Sequence, residues 1–403
     1  MARAPSIVRE SLKVRVQSGF KNPLVVRDGE GCYIKDVDNK KYLDFHSIVC
    51  TNNVGYGRPE LKEVIKQYSK RGVYKIDGTF FYTEEALILA KKVLKTLPHS
   101  LKKVFFINSG AEAVENAIKL VYSKKGPYTG VCMENAFHGR TLGALTFTNS
   151  KSIHKRNFPM FPHHELQFCG EKDYCRYKEL EDLIVREVTP AFVIMECVQG
   201  EGGYRPASKA FVQYLRKITK EHDIAFIIDE IQSGMGRTGK WWSFEHYGVT
   251  PDIMTAAKSL QVGATITSAQ YDVNKEEIGS ISSTWGGGHL IDLAMGSAVM
   301  DIIQKENLVK NAERMGKYML NRFKEIQMKY PGKIIDARGL GLMIGVEMDN
   351  KHRQQKIIDA AFKGKLLLLG ASEKTIRIAP PMVIDEATAD KGIEILEKLI
   401  KKY

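Results

Sequence analysis

Between about residues 58 and 290, short apolar runs alternate with stretches whose apolar residues recur at helical spacing. Runs of roughly four to eight apolar residues bounded by turn residues suit buried strands, and the alternation suits strands joined by helical crossovers. The pattern therefore predicts an α/β fold with a mostly parallel central sheet and helices on both faces. The strands expected are Val104–Ile107, Gly130–Glu134, Phe192–Cys197, Ala225–Asp229, Ile253–Ala257 and Ala264–Ala269, with helices over 84–96, 111–124, 208–221 and 291–328. Residues 24–45 read as short strands with turns at Asp28-Gly29-Glu30-Gly31 and Asp38-Asn39. Beyond 329, Ile334-Ile335, Leu342–Met348, Lys365–Leu369 and Ile376–Ala379 alternate with helices at 351–362 and 385–402, predicting a small α+β C-terminal domain. The division expected is an N-terminal segment, 1–57, that contributes to the small domain and the substrate pocket, a large domain, 58–290, and a connecting helix with the small domain, 291–403.

Composition narrows this picture. The 403 residues are 43% hydrophobic and 27% charged, enough to bury a sizeable core. A net charge of +13 raises the question of nucleic acid, but the lysines are scattered among glutamates, as in 62–70 and 394–402. Scattered charge makes a solvated surface, not a binding footprint, so no nucleic-acid partner is expected. No apolar run approaches the ~20 residues a membrane span needs, and Met1–Val14 lacks a secretory apolar block, so a cytoplasmic protein without a membrane partner is expected. Cys32, Cys50, Cys132, Cys169, Cys175 and Cys197 form no CxxC pair and mostly sit in apolar runs, which suits reduced thiols and no metal site.

Candidate chemistry concentrates between Phe226 and Lys258. Ile227-Ile228-Asp229 ends a strand in an acid, and Lys258 follows beyond the next strand. An acid there can hold a protonated pyridine nitrogen, and a lysine can form a Schiff base with an aldehyde, so the pair suits pyridoxal 5'-phosphate (PLP). Asn108-Ser109-Gly110-Ala111 leaves a strand and opens a helix, where free N–H groups can bind a phosphate. Phe137-His138-Gly139-Arg140 offers a ring to stack on a cofactor and a guanidinium for a carboxylate. Glu196, Glu201 and three glycines follow another strand, Arg377 could pair with Glu201, and Ser283-Thr284-Trp285-Gly286 offers a hydroxyl for a second phosphate contact. Each piece alone fits an ordinary turn, but strand ends and helix starts together mark one ligand crevice. Gly339-Leu340-Gly341 runs into a strand instead of a helix and so is not read as a dinucleotide loop.

The ordered motifs NSGAEAVENA, AFHGRT, ECVQGEGG, IIDEIQSGMGRTG, AAKS, STWGGG and RGLGLM span about 22–400 and resemble the class III (omega) aminotransferases of PLP fold type I. The resemblance implies that Lys258 is the Schiff-base lysine and proton shuttle and Asp229 the pyridinium partner. It further implies a cofactor site of Ser109, Gly110, Ala111, Phe137, His138 and Gln232, with Thr284 supplied by the neighbouring subunit of a homodimer or a dimer of dimers. Val49, Arg140, Glu196, Glu201 and Arg377 are the implied substrate residues, with Glu201 and Arg377 as a gate pair. Three departures stand out: Ser259-Leu260-Gln261-Val262-Gly263 after the lysine, Glu196-Cys197 in place of Glu-Pro, and Gly286-Gly287-Gly288-His289. The first and third are similar to the lysine 6-aminotransferase branch.

The activity implied is ping-pong transfer of a terminal amino group to 2-oxoglutarate. Ornithine-using relatives place a tyrosine where Val49 falls. A valine cannot hydrogen-bond an α-ammonium head, so 4-aminobutyrate is the expected donor, with lysine, acetylornithine and ornithine as alternatives. A PLP-dependent amino-acid racemase, which needs no 2-oxoglutarate, is a second alternative.

Overall fold

The computed structural model describes residues 3–16, 24–76, 78, 80–186, 190–281 and 286–403. At its centre is a seven-stranded sheet in the order Leu101–Ile107, Gly263–Ser268, Ile253–Ala256, Ala225–Asp229, Phe192–Met195, Gly130–Met133, His163–Leu166. The strands from Ile253–Ala256 to His163–Leu166 run parallel, and Gly263–Ser268 is antiparallel to both its neighbours. The inner strands are buried along their whole length, which is why they read as unbroken apolar runs. His163–Leu166 was not foreseen: as an edge strand it carries His-His-Glu and buries only Leu166.

The helices Glu84–Lys95, Gly110–Lys125 and Lys209–Glu221 lie close to the expected ranges. Each starts at a hydroxyl cap: Thr83, Ser109 and Ser208 accept from the backbone N–H of Ala86, Glu112 and Phe211. Such a cap satisfies one of the donors a helix start leaves unpaired. The long helix expected over 291–328 is two helices, Leu290–Lys305 and Leu308–Lys329, parted where Asn307 turns left-handed at φ 53°. Asparagine tolerates that conformation better than most residues.

The C-terminal sheet is antiparallel, in the order Ile334–Leu340, Met343–Met348, Thr375–Ile378, Leu369–Ala371. Gly339–Gly345 is thus a hairpin corner, as its lack of a following helix implied. The stretch Lys365–Leu369 is divided: Leu366–Leu367 leaves that sheet and pairs in parallel with Lys41–Asp44 of an N-terminal sheet completed by Val26–Glu30 and Tyr33–Asp36. The two ends of the chain are thereby joined beside the central sheet.

One expectation is corrected. Cys169 and Cys175 are joined by a disulfide, while Cys32, Cys50, Cys132 and Cys197 are free and buried. The pairing follows from a tight turn: Gly170 N–H donates to Asp173 Oδ2 at 2.7 Å, and Asp173 N–H to Gly170 O at 3.2 Å, folding the chain back so that the two Cα atoms lie 5.7 Å apart. Among the described residues no helix is long and apolar enough to cross a membrane, and no cluster of His, Cys, Asp and Glu could hold a metal.

Candidate active site

Ser109, Phe137, Glu196, Asp229 and Lys258 lie at or just beyond the carboxyl ends of strands of the central sheet, the usual place for a ligand in an open α/β sheet. Asp229 ends its strand buried opposite Thr255. Its Oδ1 accepts from Thr255 Oγ1 at 3.1 Å and Ile231 N–H at 3.0 Å, and its Oδ2 lies 2.8 Å from His138 Nδ1. Three donors thus hold this buried carboxylate in place. Lys258 follows Ile253–Ala256 in a left-handed conformation, φ 48°, that turns it into the crevice. Burial pushes its ammonium below the usual lysine value, against the opposing pull of Cys50 and Asp229.

Ser109 caps Gly110–Lys125, so the backbone N–H groups of Gly110 and Ala111 sit at the positive end of the helix. A side chain on Gly110 would press against Ile231, with its Cβ 2.9 Å from Cδ1. Phe137 is half-buried; the His154 ring meets it edge-on at 5.7 Å, and the Arg140 guanidinium stands 5.8 Å from its centroid. Gln232 Oε1, His138 Nε2 and Ser259 Oγ are buried without a hydrogen-bond partner among the described residues. Native interiors rarely leave such atoms unpaired. Together with the helix start at Gly110 and the buried carboxylate of Asp229 they fit a group bearing a phosphate, a ring nitrogen and a phenolic oxygen.

Glu196 has both oxygens engaged: Phe137 N–H donates to Oε2 at 3.0 Å and Gly200 N–H to Oε1 at 2.8 Å. It ties the loops after two strands together. Burial raises its pKa to about 7, with the His138 charge opposing the shift. Glu201 sits at the tip between Val198–Gln199 and Arg205–Pro206 and receives Arg377 Nη1 on Oε1 at 2.7 Å and Lys151 Nζ on Oε2 at 2.8 Å. Burial alone would push Glu201 up, but the charges of Arg377 and Lys151 hold it at about 2. Arg377 is buried on Thr375–Ile378, with its guanidinium 5.9 Å from the centre of the Tyr204 ring. Arg140 is exposed and has no carboxylate partner among the described residues. Thr284 lies outside the described residues.

Val49 belongs to the least expected feature. Ser47, Ile48, Val49 and Cys50 all have positive φ, from 43° to 65°, making one left-handed helical turn closed by Cys50 N–H to His46 O and Thr51 N–H to Ser47 O. Such backbone costs about 1–2 kcal/mol per residue and is least comfortable for β-branched side chains. Its anchors offset that strain. Asp44 Oδ1 accepts from the N–H groups of His46 and Ser47, and Ser47 Oγ donates to Ala379 O. Arg237, fully buried, donates to Ser47 Oγ, Asn53 Oδ1, Leu342 O and Pro380 O. The turn places the Cys50 thiol 3.6 Å from the Tyr204 hydroxyl.

Reading the sequence did not single out Thr255, Tyr204, Lys151 or His154. Only Thr255 carried a signal, as the polar residue inside the apolar run next to the strand of Asp229.

Residues 16–400 match the family described as aminotransferase class-III. The chain is 33% identical over 386 residues to the acetylornithine aminotransferase of Archaeoglobus fulgidus, covering 94% of this chain and 96% of that one. It is 34% identical over 392 residues to the acetylornithine aminotransferase of Caldanaerobacter subterraneus, covering 94% and 95%. Among solved structures, a lysine aminotransferase from M. tuberculosis superposes with a TM-score of 0.90 at 24% identity, covering 99% of both chains. The ornithine aminotransferase of Toxoplasma gondii gives 0.88 at 21% identity, covering 100% of this chain and 96% of that one. At these identities the likeness of the solved structures is one of fold.

Proposed function

This chain belongs to the class-III aminotransferases, PLP-dependent enzymes of fold type I, and from that premise we propose that it transfers the terminal amino group of N-acetylornithine to 2-oxoglutarate. The observation that carries the reading is the Glu201–Arg377 pair, which masks one carboxylate receptor while the exposed Arg140 stays open. Such a pair suits an enzyme that alternates between an ω-amino donor and a dicarboxylate acceptor. For the donor, 4-aminobutyrate gives way to the acetylated alternative, because the similar relatives reported above carry that name. The Val49 argument supports the change: acylation removes the α-ammonium that a valine cannot bind.

When bound, PLP supplies an electron sink for charge developing at the carbon that bears the donor amine. The chain's own residues do the rest. Asp229 would keep a proton on the pyridine nitrogen, and Gln232 would hydrogen-bond the phenolic oxygen. Ser109, Gly110 and Ala111 would hold the phosphate, Phe137 would pack against the ring, and His138, 2.8 Å from Asp229 Oδ2, positions that acid. Lys258, whose ammonium form burial disfavours, would carry a proton from the amino-bearing carbon. Arg140 reads the donor's α-carboxylate, and Glu196 steadies the loops around Phe137.

The same reading makes 58–290 the cofactor-binding domain of a cytoplasmic homodimer, or dimer of dimers, with 1–57 and 291–403 completing each site. Phe80, Phe81, Tyr82 and Leu87 are exposed, and an apolar patch of that kind supports a second copy as its cover. Mixing Lys258→Ala and Thr284→Ala chains should then regenerate one working site per hybrid dimer.

A donor panel of N-acetylornithine, ornithine, lysine and 4-aminobutyrate, read as glutamate formed from 2-oxoglutarate, tests the assignment. Acetylornithine should lead by about tenfold in kcat/KM, roughly 1.4 kcal/mol. A lead for 4-aminobutyrate or lysine overturns it.

A further inference from the structure

Glu201 has a second cation. Lys151 Nζ holds Oε2 at 2.8 Å while Arg377 holds Oε1 at 2.7 Å, so each oxygen of the gate acid has a cationic partner. The two cations differ in kind. Arg377 is 4% exposed on a strand of the C-terminal sheet, whereas Lys151 is 39% exposed on the loop before the short helix Ser152–Lys155. Arg140, Lys151 and Glu201 all act on the half-buried His154, whose Nδ1 has no partner among the described residues. The crevice mouth therefore gathers Arg140, Lys151, His154 and Arg377 around one acid.

When an incoming α-carboxylate takes Arg377, Glu201 must leave a buried guanidinium. A buried charge stripped of its partner is strongly destabilised. A lysine already seated on the other oxygen removes most of that cost, because the acid moves from two partners to one. It does not move from one to none. We propose that Lys151 is the third member of the gate: it retains Glu201 when 2-oxoglutarate occupies Arg377, and so is a positioning residue that favours the dicarboxylate acceptor. The inference rests on reading Glu201 and Arg377 as the gate. An ordinary exposed lysine–glutamate pair is worth little; here the acid is only 16% exposed and its release is the step in question.

The test uses holoenzyme and glutarate, a dicarboxylate that carries no keto group and cannot react. Calorimetric titration of Lys151→Gln should show glutarate binding weakened about fivefold, a shift of the size expected for one partly exposed ion pair. KM for 2-oxoglutarate should rise in proportion, kcat/KM for the donor should hold, and Lys151→Arg should restore both. In a Glu201→Gln background the Lys151→Gln change should lose its effect, because the acid it serves is gone. Unchanged glutarate binding in Lys151→Gln overturns the proposal. So does a full effect that persists without Glu201, which would put Lys151 on the ligand itself. Separately, if Glu201→Gln alone leaves the balance between donor and acceptor unaltered, the gate reading fails, and this outcome is distinct from the other two.

Discussion

Two acids lie in this crevice, and they are held in opposite ways. Asp229 ends a central strand, and its donors come from the adjacent strand, its own backbone and a buried histidine. Glu201 caps a two-stranded tip, and its partners are two long side chains from distant parts of the chain. The first arrangement fixes a charge; the second lets one be exchanged. On the proposed function, Asp229 keeps a ring nitrogen protonated through every turnover, and a place on sheet backbone suits that task. A group that must yield to a competing carboxylate belongs among swinging side chains.

The contrast can be tested in order of expected effect. Lys258→Ala should abolish the visible absorbance of the lysine-bound cofactor and cost at least ~10⁴-fold in turnover; a borohydride label mapping elsewhere would displace Lys258 from its role. Asp229→Ala should cost about 10³-fold with cofactor retained, because the electrostatic hold on the ring nitrogen is lost. Near-normal turnover there would erase the distinction between the two acids. Arg377→Ala should lower kcat/KM for 2-oxoglutarate by roughly 2–4 kcal/mol and spare the donor. Equal damage to both substrates would mean that Arg377 is fixed, not exchanged. Val49→Tyr should move preference about tenfold towards ornithine, read from the donor panel.

The smallest effect concerns pH. Glu201 is held at about 2, below its ordinary 4.5, so its ion pairs contribute stability in full above about 4.5 and lose it as pH falls towards 2. The difference in Tm between wild type and Glu201→Gln should stay flat from pH 5 to 9 and shrink only below that window. A change near neutrality would mean that another group governs the pair.

The fixed region was legible in the sequence and the exchangeable one only in part. Ala225–Asp229 and Ile253–Ala256 are buried on both faces, so apolar runs gave their limits, and the polar residue ending or following each run marked the site. The break at Asn307 was not foreseen, although the four polar residues Gln304-Lys305-Glu306-Asn307 interrupt the apolar spacing there. Lys151 is one half-buried lysine among 60 basic residues, and nothing local in the sequence distinguishes it. The left-handed turn opposes the preference of Ile48 and Val49 for extended backbone; contacts distant in sequence impose it, above all Arg237.

Arg237 also bears on rates. Its guanidinium ties the stretch from Ser47 to Asn53 to Leu342 and Pro380, four hydrogen bonds in the dry interior. A hinge motion between the ends of the chain and the central sheet would have to break them together, on the slow microsecond-to-millisecond scale of collective rearrangements. Exchange of partners between Arg377 and Glu201 needs no such rupture. Switching between donor and acceptor should therefore leave no lag on that scale in a rapid-mixing trace.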